Sequence, residues 1–71
     1  MSSLSEKSVA EARHLAIYLI REMTEMSFPN IGKLFDRDHS TILTSYQKIA
    51  RKMATDPSYS MEINELRRSI T

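Results

Sequence analysis

Apolar residues recur at helical spacing along this chain, in blocks separated by short polar breaks. The first block predicts a long helix that is buried on more than one side and capped by Ser5 or Ser8, after a disordered start at residues 1–4. Its apolar positions are Ala12, Leu15, Ala16, Leu19, Ile20 and Met23, widened by Ile17 and Tyr18.

The middle of the chain predicts two helices joined by a tight turn, from about residue 27 to residue 53. Ser27 can cap a short helix whose first turn tolerates Pro29, because the amides there have no partner inside the helix. Three charged residues, 36–38, then interrupt the apolar face, and Asp38 is a favoured cap for the second helix. The predicted apolar faces are Ile31, Leu34 and Phe35 in the short helix, and Ile42, Leu43, Tyr46, Ile49, Ala50 and Met53 in the second. This pattern predicts a helix-turn-helix.

A final helix is predicted to close the core. Asp56 can cap it, and Pro57 suits its first position. Its apolar face would consist of Tyr59, Ile63, Leu66 and Ile70. The chain is therefore predicted to be one all-α domain over residues 1–71, a small helical bundle of about four or five helices with a central helix-turn-helix.

Composition excludes several classes of protein. The 71 residues include no cysteine, so disulfide scaffolds and thiolate metal sites are excluded, and no apolar run has the length of a membrane span. The chain lacks a phosphate-binding glycine loop, a nucleophile elbow and a carboxylate cluster, so it is not expected to be an enzyme or to hold a metal or other cofactor. A cytoplasmic protein is expected.

The positive charge is concentrated in the predicted helix-turn-helix. Residues 27–52 carry five basic and two acidic side chains, a net charge of +3, whereas the whole chain carries +1. The second helix begins with the short polar residues His39, Ser40 and Thr41, and its apolar residues start only at Ile42. In DNA-binding helix-turn-helix domains this end of the second helix meets base edges in the major groove. From these residues alone, the pattern is typical both of a nucleic-acid interface and of a capped helix with a solvated charged face.

These residues carry a specific resemblance. From Val9 to about Ile70 the chain resembles the C-terminal DNA-binding domain of the bacterial replication initiators of the DnaA family, whose signature segment is similar to FPNIGKLFDRDHSTIL. The resemblance implies a Trp-repressor-like fold and sequence-specific binding of double-stranded DNA at origin boxes of the TTATNCACA type. It also implies a nucleoid-associated protein, monomeric as an isolated domain and not bound to membranes, in which ATP binding belongs to a separate domain of the full-length family protein.

The resemblance also implies the site residues. Base contacts fall on Asp38, His39, Ser40 and Thr41, where the family has an aspartate, a histidine and two threonines. The phosphate contacts that it implies are Arg13, His14, Arg21, Phe28 and Pro29. The basic side chains of Lys33, Arg37 and Lys48 in the helix-turn-helix are expected to contact phosphates as well. The turn departs from the family pattern, because Phe35 is followed by Asp36 without the usual two glycines, which makes the turn one residue shorter. The chain also lacks the family's minor-groove arginine upstream of the first helix.

Two alternatives remain open from the sequence. A helical module that recruits an acidic protein partner would bind DNA without base preference. A transcriptional regulator built on the same motif would need a dimer to read two half-sites.

Overall fold

The computed structural model describes residues 6–70, which form four α-helices and no strand. The helices are α1 (Glu6–Met23), α2 (Phe28–Phe35), α3 (His39–Thr55) and α4 (Pro57–Ile70). The predicted all-α fold with a central helix-turn-helix is confirmed, with α2 and α3 as its two helices. The predicted disordered start and the cap at Ser5 lie outside the described residues. Ser8 lies inside α1, so the prediction that it caps this helix was wrong.

Local side-chain chemistry determines where α2 and α4 begin. The hydroxyl of Ser27 accepts a hydrogen bond from the amide of Asn30 at 3.3 Å, which satisfies one of the free amides in the first turn of α2. Asp56 plays the same part for α4, because its carboxylate accepts from the amide of Tyr59 at 3.1 Å. Pro57 is the first residue of α4. The predicted caps at Ser27 and Asp56 are confirmed.

The core consists of two adjacent clusters of buried side chains. The first joins Ile17 of α1, Ile31 of α2 and Ile42 of α3, which are at most 1% exposed. The second joins Tyr18 of α1, Ile49 of α3 and Ile63 of α4. Helix α1 therefore supplies neighbouring residues to both clusters and serves as the scaffold against which the helix-turn-helix packs.

Parts of the predicted apolar faces were wrong. Ile17 and Tyr18 are the buried centre of α1 rather than its margin, and Ala12 is exposed. Leu34 is 62% exposed because the second buried position on α2 is Gly32, which turns the buried face of this helix away from Leu34. Leu43 is 37% exposed.

The buried face of α3 also differs from the predicted one, because it includes a polar residue in place of Leu43. The buried positions of α3 are Ile42, Ser45 and Ile49, spaced three and four residues apart on one side of the helix. Ser45 is only 4% exposed, so a small polar residue occupies a core position that the apolar pattern left out. Leu43 lies about 100° around the helix from Ile42, away from this side.

Candidate nucleic-acid interface

The N-terminal end of α3 presents the four predicted base-contacting residues at the surface. Asp38, His39, Ser40 and Thr41 are all exposed. Asp38 occupies the cap position with an extended backbone, at φ −62° and ψ 148°, but its carboxylate accepts no hydrogen bond from the first turn of α3. The carboxylate is therefore available to a ligand, and so are the unpaired amides of the first helical turn.

A turn of unusual composition holds this end of α3 against α2. Asp36 adopts the left-handed conformation, at φ 55° and ψ 50°, the position after a helix that glycine most often fills. The amide of Arg37 donates to the carbonyl of Gly32 at 2.8 Å, and the amide of Asp36 donates to the carbonyl of Lys33 at 3.4 Å. These two bonds form a Schellman motif, which ends α2 without a glycine at the left-handed position.

Gly32 makes this short turn possible. A β-carbon at residue 32 would lie 2.6 Å from the carbonyl oxygen of Arg37 and 3.5 Å from the amide nitrogen of His39. The backbone of the turn thus passes directly over α2. The closest approach to Gly32 is therefore made by the backbone of the turn, followed by the first residue of α3.

The turn and the two helices around it enclose an open depression. Its lining brings predicted phosphate-contacting residues next to predicted base-contacting residues. The lining residues are Pro29, Gly32, Lys33, Asp36, Arg37, Asp38, His39 and Thr41. Ser40 lies outside this lining, exposed on α3, and its carbonyl accepts from the Thr44 hydroxyl at 3.0 Å.

A second group of predicted phosphate-contacting residues lies between α1 and α3. His14 and Lys48 line one groove, together with Lys52 and Tyr59. Burial lowers the pKa of His14 below its usual 6.5, the positive charges of Lys48 and Arg13 lower it further, and only Glu11 opposes them. These effects favour the neutral form of His14 in the protein without a ligand, whereas an approaching phosphate would favour its charged form. Arg13 is half-buried on α1 beside His14.

Arg21 and Phe28 form a third group. The guanidinium of Arg21 lies 5.0 Å from the centre of the Phe28 ring, within the range of a cation–π interaction. Phe28 itself is half-buried against the cluster of Ile17, Ile31 and Ile42. Its ring therefore belongs to the core and supports Arg21, and only its backbone remains for the predicted phosphate contact.

Two further side-chain contacts, one made by Lys52 and one by Tyr46, were not predicted from the sequence. The ammonium group of Lys52 lies 4.3 Å from the centre of the Tyr59 ring. Lys52 follows Lys48 by four residues, a spacing that places both on one side of α3 and could have indicated that they line the groove between α1 and α3 together. The second contact is the hydrogen bond from the Tyr46 hydroxyl to Glu22, which joins residues 24 positions apart and leaves no signal in a local pattern.

Residues 6–70 hold neither a candidate metal site nor a candidate membrane span. No group of three or more histidine, aspartate or glutamate side chains in this part of the chain could hold a metal ion. None of the helices described has the length and apolar character that crossing a membrane requires.

Comparison with known proteins identifies the family. The family model described as "Bacterial dnaA protein helix-turn-helix" matches residues 1–49. The chromosomal replication initiator protein DnaA of Caldanaerobacter subterraneus subsp. tengcongensis is 41% identical over 64 residues. The proteins of the same name from Thermoanaerobacter sp. and Thermoanaerobacter pseudethanolicus are also 41% identical over 64 residues.

The chain spans only 14% of the length of these curated relatives, although the matches cover 90% of the chain. No solved structure matches it. The family match runs through α1, α2, the turn and the first eleven residues of α3, up to Ile49. The chain therefore belongs to the family of bacterial DnaA helix-turn-helix domains.

Proposed function

We propose that this domain binds double-stranded DNA sequence-specifically, at replication-origin boxes of the TTATNCACA type, in the initiation and regulation of chromosomal replication. One observation carries the proposal: Asp38, His39 and Thr41 are exposed at the start of α3, in the same depression as Lys33 and Arg37. The relatives' name, chromosomal replication initiator protein, supports the role in replication.

The start of α3 would enter the major groove. His39, Ser40 and Thr41 offer donors and acceptors to base edges, and the Asp38 carboxylate can accept from the amino group of cytosine. Because the same carboxylate is repelled by phosphate, it penalises a misplaced duplex as well as rewarding the correct one. The Asp38 side chain suits this role because it makes no capping hydrogen bond.

The remaining predicted residues would fix the register of the domain on the duplex. Such contacts set orientation and contribute most of the salt-dependent affinity. Lys33 and Arg37 lie beside the start of α3, while His14 and Lys48 line the groove between α1 and α3. The set is completed by Arg13, Arg21 and the backbone of Phe28 and Pro29.

The domain is proposed to act as a monomeric binding module without a cofactor of its own. A helix-turn-helix is a non-catalytic kind of domain, and the family match places this chain among such domains. ATP binding, if the full-length protein shares it with the family, would lie outside these residues.

Fluorescence anisotropy tests the proposal directly. A labelled duplex carrying a TTATNCACA box and a scrambled duplex of equal length are titrated with the domain at two salt concentrations. We expect a preference for the box of at least about tenfold, or about 1.4 kcal/mol, that persists at the higher salt. Equal, salt-sensitive binding to both duplexes would mean that the domain contacts phosphates without distinguishing bases. No binding to either would favour a protein partner.

Arg13→Ala is expected to weaken binding to both duplexes alike. A phosphate contact carries no sequence information, so its loss should leave the preference for the box unchanged and lower the salt slope by about 0.9. Arg68→Ala is the matched control, because it removes the same charge from α4, where Arg68 pairs with Glu65 at 3.4 Å. Weaker binding to the box alone would show instead that Arg13 reads a base.

A further inference from the structure

Tyr46, in the middle of α3, contacts two other helices directly. Its ring stacks on Tyr18 of α1, with centres 5.2 Å apart and an angle of 22° between the planes. Phe28 of α2 meets the same ring edge-on at 5.4 Å. The hydroxyl of Tyr46 donates to Oε2 of Glu22, near the end of α1, at 2.6 Å. One side chain of α3 thus makes a directional contact with α1 and packs on α2.

Glu22 extends this contact to the fourth helix. While its Oε2 accepts from Tyr46, its Oε1 lies 3.6 Å from Nη1 of Arg67 on α4. The two oxygens of one carboxylate therefore connect α3 and α4 to α1. These three residues form what we call the Tyr46–Glu22–Arg67 network.

The network provides a hydrogen bond between α3 and α1, which the apolar core clusters do not. Ile42 and Ile49 hold α3 against its neighbours through apolar contacts, which are non-directional and tolerate a small rotation of α3 about its own axis. A short hydrogen bond weakens steeply when its angle changes. The bond from Tyr46 to Glu22 therefore adds an angular restraint on the rotation of α3 relative to α1, beside the stacking of Tyr46 on Tyr18.

That rotation matters to the proposed interface. Residues 38–41 stand at the start of α3, whereas Arg13, His14 and Arg21 stand on α1. If phosphates are held from α1 and bases are read from α3, the angle between the two helices decides whether both sets can engage one duplex. A rotation would misplace base contacts while leaving flexible phosphate contacts in reach.

We propose that the Tyr46–Glu22–Arg67 network is a positioning device, which holds α3 in the rotation that lets residues 38–41 read bases while α1 engages the phosphates. The proposal rests on the proposed function. Tyr46 and Glu22 touch no DNA in this scheme. They act through the orientation of the helix that carries the base-contacting residues.

Tyr46→Phe tests the proposal because it keeps the ring and removes only the hydroxyl. We expect the preference for the box over the scrambled duplex to fall by about threefold to tenfold, the range of one net hydrogen bond. Binding to the scrambled duplex should change by less than about twofold, because it depends on phosphate contacts. Circular dichroism at the temperature of the titration shows that the variant is folded.

Variants at Glu22 separate positioning from general stability. Glu22→Gln keeps an oxygen that can accept from Tyr46, so it should retain the preference of the wild type. Glu22→Ala should lose at least as much preference as Tyr46→Phe, because it also removes the contact between Glu22 and Arg67. The double variant Tyr46→Phe/Glu22→Ala should be no worse than Glu22→Ala alone, because the bond from Tyr46 to Glu22 is already lost in that single variant.

Ser69→Ala is the control for loss of a hydroxyl that makes a hydrogen bond. The hydroxyl of Ser69 donates to the carbonyl of Leu66 at 2.9 Å within α4, the helix that carries none of the proposed DNA contacts. This variant should keep the full preference for the box.

A measurement on the domain without DNA makes the test independent of the proposed function. Residual dipolar couplings of backbone amides give the orientation of α3 relative to α1, and we expect it to change in Tyr46→Phe and to be retained in Glu22→Gln. An unchanged orientation, or a changed orientation with full preference for the box, would overturn the proposal. If the wild type itself showed no preference, the proposed function would fail, and the couplings would still decide whether the network holds α3.

Discussion

Asp38→Ala is expected to lower the preference for the box over a scrambled duplex by about 1–3 kcal/mol, roughly fivefold to 160-fold. The preference is the ratio of the affinity for the box to the affinity for the scrambled duplex, and both affinities should change. Binding to the box weakens because a cytosine amino group loses its acceptor, and binding to the scrambled duplex strengthens because a carboxylate no longer repels phosphate. The anisotropy titrations described above measure both affinities.

The cap geometry makes this variant a clean test of base reading. Because the Asp38 carboxylate accepts no hydrogen bond in the first turn of α3, its removal should change the free energy of unfolding by less than about 0.5 kcal/mol. Ser27→Ala is the contrasting control, since the Ser27 hydroxyl does cap α2 at 3.3 Å. That variant should lose about 0.5–2 kcal/mol of stability and keep the preference for the box.

Two results would contradict the role of Asp38. If Asp38→Ala kept the full preference, the residue would not discriminate between bases. If it were destabilised as much as Ser27→Ala, the carboxylate would serve as a helix cap. Asp38→Asn tests the capping role, because asparagine caps a helix as well as aspartate does and would restore stability that Asp38→Ala had lost.

Gly32→Ala is expected to lower the free energy of unfolding by about 1–3 kcal/mol, as overpacking in a tight site does. Alanine is favoured over glycine inside a helix by about 1 kcal/mol, so helix propensity alone predicts the opposite sign. The contact at 2.6 Å decides the outcome, because the atom that the new β-carbon meets is a backbone oxygen, of Arg37. That oxygen can move only if the turn shifts, which strains the hydrogen bond from the Arg37 amide to Gly32.

Chemical unfolding followed by circular dichroism measures this effect. Leu34→Ala is the control, because Leu34 lies two residues further along the same helix, is 62% exposed and should change stability by less than about 0.5 kcal/mol. A stabilised Gly32→Ala variant would mean that the turn yields easily and that glycine is not needed there. For a chain of 71 residues, the expected loss is a substantial part of the total stability.

The fold was largely predictable because most of its helix boundaries depend on local chemistry. Ser27 and Asp56 accept hydrogen bonds from amides three residues later, and Pro57 is tolerated where no amide is needed. Such signals lie within a few residues of sequence. For this reason α2 and α4 begin where the pattern places them.

The errors arose where distant residues decide the outcome. The exposure of Leu34 depends on how the turn crosses α2 at Gly32, and the burial of Ser45 depends on the rotation of α3. The left-handed conformation of Asp36 could not be anticipated, because aspartate adopts it much less often than glycine. Neither helix periodicity nor capping rules can predict these three features.

The candidate site was also predictable where it depends on local sequence, and not where it depends on the packing of distant residues. The exposure of residues 38–41 followed from the polar start of the second helix, and the depression that they share with Lys33 and Arg37 follows from the short turn. The separate position of His14 and Lys48 required the packing of α1 on α3. That these residues contact bases and phosphates stays a prediction.

The neighbouring residues Ile17 and Tyr18 have a consequence for cooperativity. Because they belong to different clusters on one helix, neither cluster can form fully unless α1 is folded, and a folded α1 serves both at once. Unfolding should therefore be a single two-state transition, with equal calorimetric and van't Hoff enthalpies. By the same reasoning, a peptide of residues 27–55 alone should remain largely unfolded, since it lacks the helix against which both of its own helices are buried.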